Sequence, residues 1–446
     1  MPLTMHTPAD LLLLPQWVIP VETRGALTDH AVVVQDGMIL DLLPAERALA
    51  RYTAAQTVEL PGQAVIPGLV NLHGRAAMSL LRGFADDLPA ARWLNDRVAP
   101  AEAGLVSESF VRDGTLLAIA EMLAGGITTS NEAYLFPQTA GETFLHAGMR
   151  AALGLWISET ASVYAADADD CLAKGLDTRD ALKDEPLLSF AFALQDADTA
   201  SDATLARVNT LAEQLGLAIH APIHASTDRV DDSLKRYGLR PLERLAKLGL
   251  LGPAFVGVHA VHLNEAEIGA LASHACHIAH CPGSDLKLAR GVAPIAELLR
   301  AGVNIGLGTD TAASNNRLDL FAEMRLAALL AKGASGDATT LPAAAALEAA
   351  TLGAARALNL HDRIGSIMPG KRADLVAVDL RSLATLPMFD PASHLVYVAG
   401  REHVTHVWVD GKPKLSDRRL VDLDTDDLAA RATYWRTKLI ARDGAR

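Results

Sequence analysis

Eight short apolar runs, each followed by a segment of helical period, constrain this chain more than any other feature of its sequence. They are AVIPGLVNLH (64–73), GITTSNEAY (126–134), MRAALGLWIS (149–158), LLSFAFALQ (187–195), LAIHAPIHA (217–225), AFVGVHAVHL (254–263), HIAHCP (277–282) and NIGLGTD (304–310). Near-continuous apolar runs read as strands buried on both faces, the state of strands in a parallel sheet covered by helices. The text between them supplies the helices. SFVRDGTLLAIAEMLAGG, ATLARVNTLAEQLG, AEIGALASHA and LDLFAEMRLAALLAKG carry apolar residues at helical spacing, and Ser201-Asp202 and Asn264-Glu265 stand where caps belong. Eight such units predict an α/β chain built on a closed (β/α)8 barrel of the TIM type. In that architecture chemistry gathers at the C-terminal strand ends. The run ends here are polar: His73, Glu132, Glu159, Gln195, His220 and His224, His259 and His262, Cys281, and Asp310.

The two ends of the chain follow another pattern. LLLLPQWVIP and AVVVQDGMILDLLP near the start, and RIGSIMPGKRADLVAVDL and HVTHVWVDGKPKL after Leu360, are short strands broken by turns, with Asp36-Gly37 and Asp410-Gly411 as hairpin signals. The expected organisation is residues 1–64 and 363–421 as two halves of one discontinuous small β-sandwich domain, 65–362 as the barrel, and 422–446 as a charged helical tail. A chain of 446 residues has ample length for this core. With 40 basic against 53 acidic residues it offers no basic face for a phosphate backbone, so nucleic acid is not an expected partner. No stretch approaches the ~20 apolar residues of a bilayer span, so no membrane association is expected. Cys171, Cys276 and Cys281 are scattered and form no CxxC pair, which fits a reducing cytoplasm. No Cys-His-Asn or Gly-x-Ser-x-Gly arrangement supports acyl chemistry.

PGLVNLH (67–73), LGTDTAASNN (307–316) and IGSIMPGKRADLVAVD (364–379) resemble the amidohydrolase superfamily. LLRGFADDLPAARWLNDRVAPAE (80–102), HCPGSDLKLARG (280–291) and LGTDTAASNNRLDLFAEMR (307–325) are similar to one branch of it, the deaminases of methylthioadenosine and S-adenosylhomocysteine, which also look like the chlorotriazine hydrolases. The likeness spans nearly the whole chain. It implies a hydrolytic deaminase of an adenosine-like or N-heterocyclic small molecule, working as a homo-oligomer with one divalent metal, zinc or iron. In that family a first-strand His-x-His pair, a fifth-strand His and an eighth-strand Asp hold the metal, which lowers the pKa of a bound water. A Glu three residues after the fifth-strand His shuttles protons, and a sixth-strand His orients water and substrate.

Matched position by position, the sequence keeps part of that set. His73, His259 and Asp310 are present, but the second first-strand ligand is Arg75, whose guanidinium cannot ligate a metal. Pro222 stands at the fifth-strand ligand position and Ala225 at the proton-shuttle position. Gln195 replaces a fourth-strand substrate-contacting His, and Thr311 follows Asp310 where the family has glycine. The resemblance therefore marks His259 and Asp310 as candidate catalytic residues and His73 and Asp310 as candidate metal ligands, with Glu102, Gln195 and Arg75 as candidate substrate contacts. Glu102 matches a carboxylate that looks like a ribose clamp; its plainer reading is a solvated Glu at a helix start. His73 is either a ligand or a hydrogen-bonded core histidine. Along a regular strand His220 and His224 share the face of Pro222, so a shifted register would present one of them. Arg75 is expected opposite Asp310, pairing with it in place of the metal's charge. Three outcomes stay open: a deaminase-like hydrolase with a weakened or rebuilt metal site, a catalytically inactive ligand-binding or regulatory homologue, and a metal-free catalyst of an unidentified reaction.

Overall fold

The computed structural model describes residues 7–23 and 25–443. Eight parallel strands follow one another around a barrel in chain order: β1 Leu69–Gly74, β2 Ile127–Glu132, β3 Arg150–Ile157, β4 Leu188–Leu194, β5 Ala218–Ile223, β6 Phe255–His259, β7 His277–His280 and β8 Asn304–Leu307. Every residue of β1, β2 and β3 is buried, as expected of strands covered on both sides. The ring closes just beyond β8, where Gly74 forms a parallel bridge with Asp310 and the Asp310 amide donates to the His73 carbonyl at 2.9 Å. Closure thus places the last residues of the first and eighth units side by side.

The helices begin where side chains satisfy their first amides. Ser201 caps Asp202–Leu215 by accepting from the Thr204 amide at 3.1 Å, and Asp319 caps Leu320–Ser335 through the Ala322 amide at 3.1 Å. Asn264 and Glu267 form a reciprocal capping box at the start of Glu265–Ser273, with bonds of 2.9 and 2.8 Å. Helix Glu108–Ala124 buries Phe110, Ala118, Ile119 and Met122 on its inner side, and the tail helix Thr425–Asp443 docks on it through Trp435, whose indole donates to Asp113 at 2.8 Å. Among the described residues no helix is long and apolar enough to cross a membrane. All three cysteines are buried and free.

The two chain ends meet in one continuous nine-stranded mixed sheet. Its centre is the long strand Tyr52–Pro67, which pairs parallel with Thr7–Val18 on one side and antiparallel with Leu375–Asp379 on the other. Residues 1–6 of the expected first half and 444–446 of the tail lie outside the described residues. Both Asp-Gly turns form as the hairpin signals predict, with φ of 52° and 72° at Asp36-Gly37 and the same values at Asp410-Gly411. The turns abut: a Cβ on Gly37 would lie 2.7 Å from the Asp410 carbonyl oxygen, so no other residue fits there.

A buried ion cluster joins this sheet to the barrel floor. Arg150, the first residue of β3, donates from Nε to Asp374 Oδ2 at 2.8 Å, and from Nη2 to Asp374 Oδ1 at 3.1 Å and Asp410 Oδ1 at 2.8 Å. Arg150 and Asp374 are each about 2% exposed, so neither charge is rescued by water once its partner is gone. Arg150→Met is therefore expected to cost about 3–5 kcal/mol, the range for breaking a buried pair from one side. Urea denaturation of the two proteins measures this; a loss below about 1 kcal/mol would show the cluster to be incidental.

Candidate functional site

The closing seam brings His73 and Asp310 together. His73 Nε2 lies 3.7 Å from Asp310 Oδ1, and the ring meets that of His259 edge-on with centroids 6.0 Å apart. Neither His73 nitrogen has a hydrogen-bond partner. Burial lowers the His73 pKa to about 3, with Arg75, His259 and His220 adding to the effect and Asp310 opposing it. Asp310 Oδ2 accepts from Ser284 at 2.6 Å and Ser314 at 3.1 Å. Burial alone would raise the Asp310 carboxyl, but His259, His73, Arg290 and Arg75 outweigh it and hold the group well below the usual carboxylate range.

His259, at the end of β6, is locked from both sides. Its Nδ1 lies 2.8 Å from Asp285 Oδ1, and Arg290 Nη1 lies 3.3 Å from each ring nitrogen. Nδ1 thus has both the Asp285 carboxylate and the guanidinium within reach, whereas Nε2 has the guanidinium. Arg290 Nη1 also reaches Asp285 Oδ1 at 3.3 Å and Asp310 Oδ2 at 3.9 Å. Burial opposes the charge on Asp285 as well, and His259 and Arg290 reverse it. His259 and Asp310 are left-handed, with φ of 71° and 53°, a strain of about 1–3 kcal/mol each that the surrounding bonds hold in place.

Three expectations need correction. Arg75 does not pair with Asp310: its guanidinium lies over the Trp156 ring, 5.3 Å from the centroid, with Nε buried and unpartnered, and the guanidinium beside Asp310 belongs to Arg290. His224 does not share the inward face of Pro222. Strand β5 stops at Ile223, His224 turns left-handed with φ of 48°, and its ring faces the Leu242 amide at 3.2 Å and Glu267 at 3.3 Å. Gln195 is exposed and lines a separate cavity of about 160 Å³ with Glu159, Asp196 and Arg229, whose lining includes none of His73, His259 or Asp310.

The other candidates lie at the mouth or in the wall. Glu102 accepts the Tyr134 hydroxyl at 2.6 Å, and burial raises its pKa against the lowering by Tyr134 and Arg75. Pro222 is the penultimate residue of β5, opposite Val258 of β6, and His220 turns its Nδ1 to Asn131 of β2. Among the described residues no three His, Cys, Asp or Glu side chains converge as a group that could hold a metal. Residue matching missed Asp285 and Arg290, and gave Glu132 no role beyond that of a polar strand end. The first two lie inside HCPGSDLKLARG, where three charged residues, Asp285, Lys287 and Arg290, shortly after a barrel strand were the available signal. Glu132, at the end of β2, accepts from the Ala76 amide at 2.7 Å and Ser130 at 2.6 Å, fixing the backbone just past Arg75.

An eight-stranded parallel barrel whose polar groups converge at the closing ends of β1, β6 and β8 is the frame of a barrel hydrolase, and this chain belongs to the amidohydrolase family, whose model matches residues 64–414. It is 42% identical over 441 residues to a 5-methylthioadenosine/S-adenosylhomocysteine deaminase of Saccharophagus degradans, covering 99% of both chains. Among solved structures it is similar to an adenosine deaminase from Xanthomonas campestris with bound zinc, at 46% identity and a TM-score of 0.97 over 98% of this chain and 100% of that one. The fold is also that of an atrazine chlorohydrolase from Arthrobacter aurescens, with a TM-score of 0.88 and 24% identity over 95% of this chain and 99% of the other.

The loops that carry the site after β7 and β8 are tied by Glu323, which accepts from the Gly283 amide at 2.9 Å and from Asn315 at 3.0 Å. Burial raises its pKa to about 7. A carboxyl raised in the folded state holds a proton that the unfolded chain has released, so stability falls as pH rises from the unfolded value to the folded one. Asp198, also raised to about 7 by burial and then by Asp196, has the same sign, so the comparison must be differential. Relative to wild type, Glu323→Gln is expected to gain roughly 2–3 kcal/mol of stability between pH 5 and pH 8. Urea titrations at both pH values measure the gain, and parallel curves would refute it.

Proposed function

We propose that this chain binds an adenosine-type nucleoside at the barrel mouth without carrying out the metal-dependent deamination for which its relatives are named. The observation that carries this reading is the donor set. His73 and Asp310 remain, whereas the matched positions of the other two ligands hold a cation, Arg75, and a residue without a donor, Pro222. A catalytic zinc keeps three protein ligands and a water, so two ligands beside a guanidinium do not fit a divalent ion. His220, held at Nδ1 by Asn131, joins no group of three ligands among the described residues, and His224 is turned to Glu267 and Leu242. Ala225 brings no carboxylate to move protons.

The binding half of the reading rests on Glu102 and Tyr134. The hydroxyl of Tyr134 orients the carboxylate, and a partly desolvated acceptor of this kind suits the paired hydroxyls of a ribose. Arg75, stacked on Trp156 near this pair, adds N–H donors to the same mouth. Self-association rests on the family likeness alone, and a cytoplasmic setting on the three scattered cysteines.

Calorimetry with methylthioadenosine and S-adenosylhomocysteine, run beside an ammonia-release assay with zinc or manganese added, tests both halves. Saturable binding with no ammonia is expected, and Glu102→Ala should weaken binding by about 10-fold or more, the worth of a charge-assisted hydrogen bond. Ammonia released over repeated turnovers would overturn the reading.

A further inference from the structure

One guanidinium stands between the groups that the family likeness arranges around a divalent ion and its water. Arg290 Nη1 is 3.3 Å from both nitrogens of the sixth-strand His259, 3.3 Å from Asp285 Oδ1 and 3.9 Å from Asp310 Oδ2 on the eighth-strand side. The loop is wound to deliver it. After helix Pro282–Lys287 the chain turns left-handed at Ala289, with φ of 52°, and the Arg290 amide donates to the Asp285 carbonyl at 2.8 Å. The side chain is about 18% exposed, so its charge is largely withdrawn from water and is balanced by the two carboxylates it faces.

Resting on the metal-free reading above, we propose that Arg290 is a resident cation: its guanidinium takes the neutralising role of the divalent ion, completing the seam of His259, Asp285 and Asp310 and excluding a metal from it. The charges balance. Asp285 and Asp310 are two carboxylates, and Arg290, at contact, with Arg75, acting on Asp310 from further off, supplies the two positive charges of one divalent ion. The geometry also crowds ligation, because Nδ1 of His259 is held by Asp285 and the guanidinium nitrogen stands 3.3 Å from both ring nitrogens, Nε2 included. A divalent ion entering here meets a fixed positive charge a few ångströms away in a poorly screened site.

Two measurements on the full-length protein test this. The first compares zinc affinity, by calorimetry, of a ligand-restored variant carrying Arg75→His, Pro222→His and Ala225→Glu with the same variant also carrying Arg290→Met. Removing Arg290 is expected to tighten zinc binding by roughly 100-fold or more. Equal affinity with and without Arg290 would overturn the resident cation. The second compares melting temperatures of wild type, Arg290→Lys and Arg290→Met in chelator, which needs no restored site. Arg290→Met should melt several degrees below wild type, or fail to fold, and Arg290→Lys should recover most of the loss; a lysine variant no better than methionine would reduce the role to packing and overturn the proposal. Wild type itself should take up no zinc and show no shift with chelator. Zinc bound by wild type with ammonia released would overturn the metal-free reading too, whereas zinc uptake indifferent to Arg290 with no ammonia overturns the resident cation alone.

Discussion

The seam between β1 and β8 is the constraint on which the rest of the structure depends. A parallel barrel is stable only if its last strand returns to its first, and here the return is made by the Gly74–Asp310 bridge and the bond from the Asp310 amide to the His73 carbonyl. The same contact that completes the backbone ladder forces a histidine and a carboxylate into a water-poor space. Whatever neutralises Asp310 therefore also stabilises the closure of the barrel. Fold and site cannot be altered independently at this point.

This coupling explains which parts were legible from the residues alone. The barrel was readable because its strands are largely buried on both faces, which leaves near-continuous apolar runs, and because the caps at Ser201 and Asn264 mark where helices start. The composite sheet was readable through Asp36-Gly37 and Asp410-Gly411, whose positive φ few other pairs adopt. His73, His259 and Asp310 do converge, since the ends of the first, sixth and eighth units all face one mouth.

The remainder depended on side-chain direction and on single backbone angles, which a linear pattern does not carry. Alternation places His224 on the same face as Pro222, but that rule holds only while the strand lasts, and the left-handed turn at His224 sends the ring to Glu267. Arg75 is at the matched position expected of it, yet its long side chain finds the face of Trp156 rather than Asp310. Arg290 escaped notice because no ligand position of the family falls on it. Its position follows from a turn at Ala289 and a loop bond to Asp285, both tertiary facts.

On the metal-free reading, Arg75 and Pro222 at the matched ligand positions belong with the Asp285–Arg290 pair rather than apart from it. Losing a ligand on β1 and another on β5 would leave Asp310 buried in the seam without a counter-charge, and an unpaired buried carboxylate is among the costlier defects a protein can carry. A guanidinium brought in by the loop after β7 removes that defect, but it introduces a charge of its own, which Asp285 and His259 then absorb. Asp285 without Arg290 would be a second buried anion held by His259 alone, and Arg290 without Asp285 would keep only the ring nitrogens of His259 within hydrogen-bond reach, its contact to Asp310 being 3.9 Å. The two residues thus support each other, five positions apart on one turn. On the metal-free reading proposed above, this pair serves stability whether or not any chemistry remains at the mouth. On that reading burial makes the seam demand a cation, and Arg290 supplies one covalently.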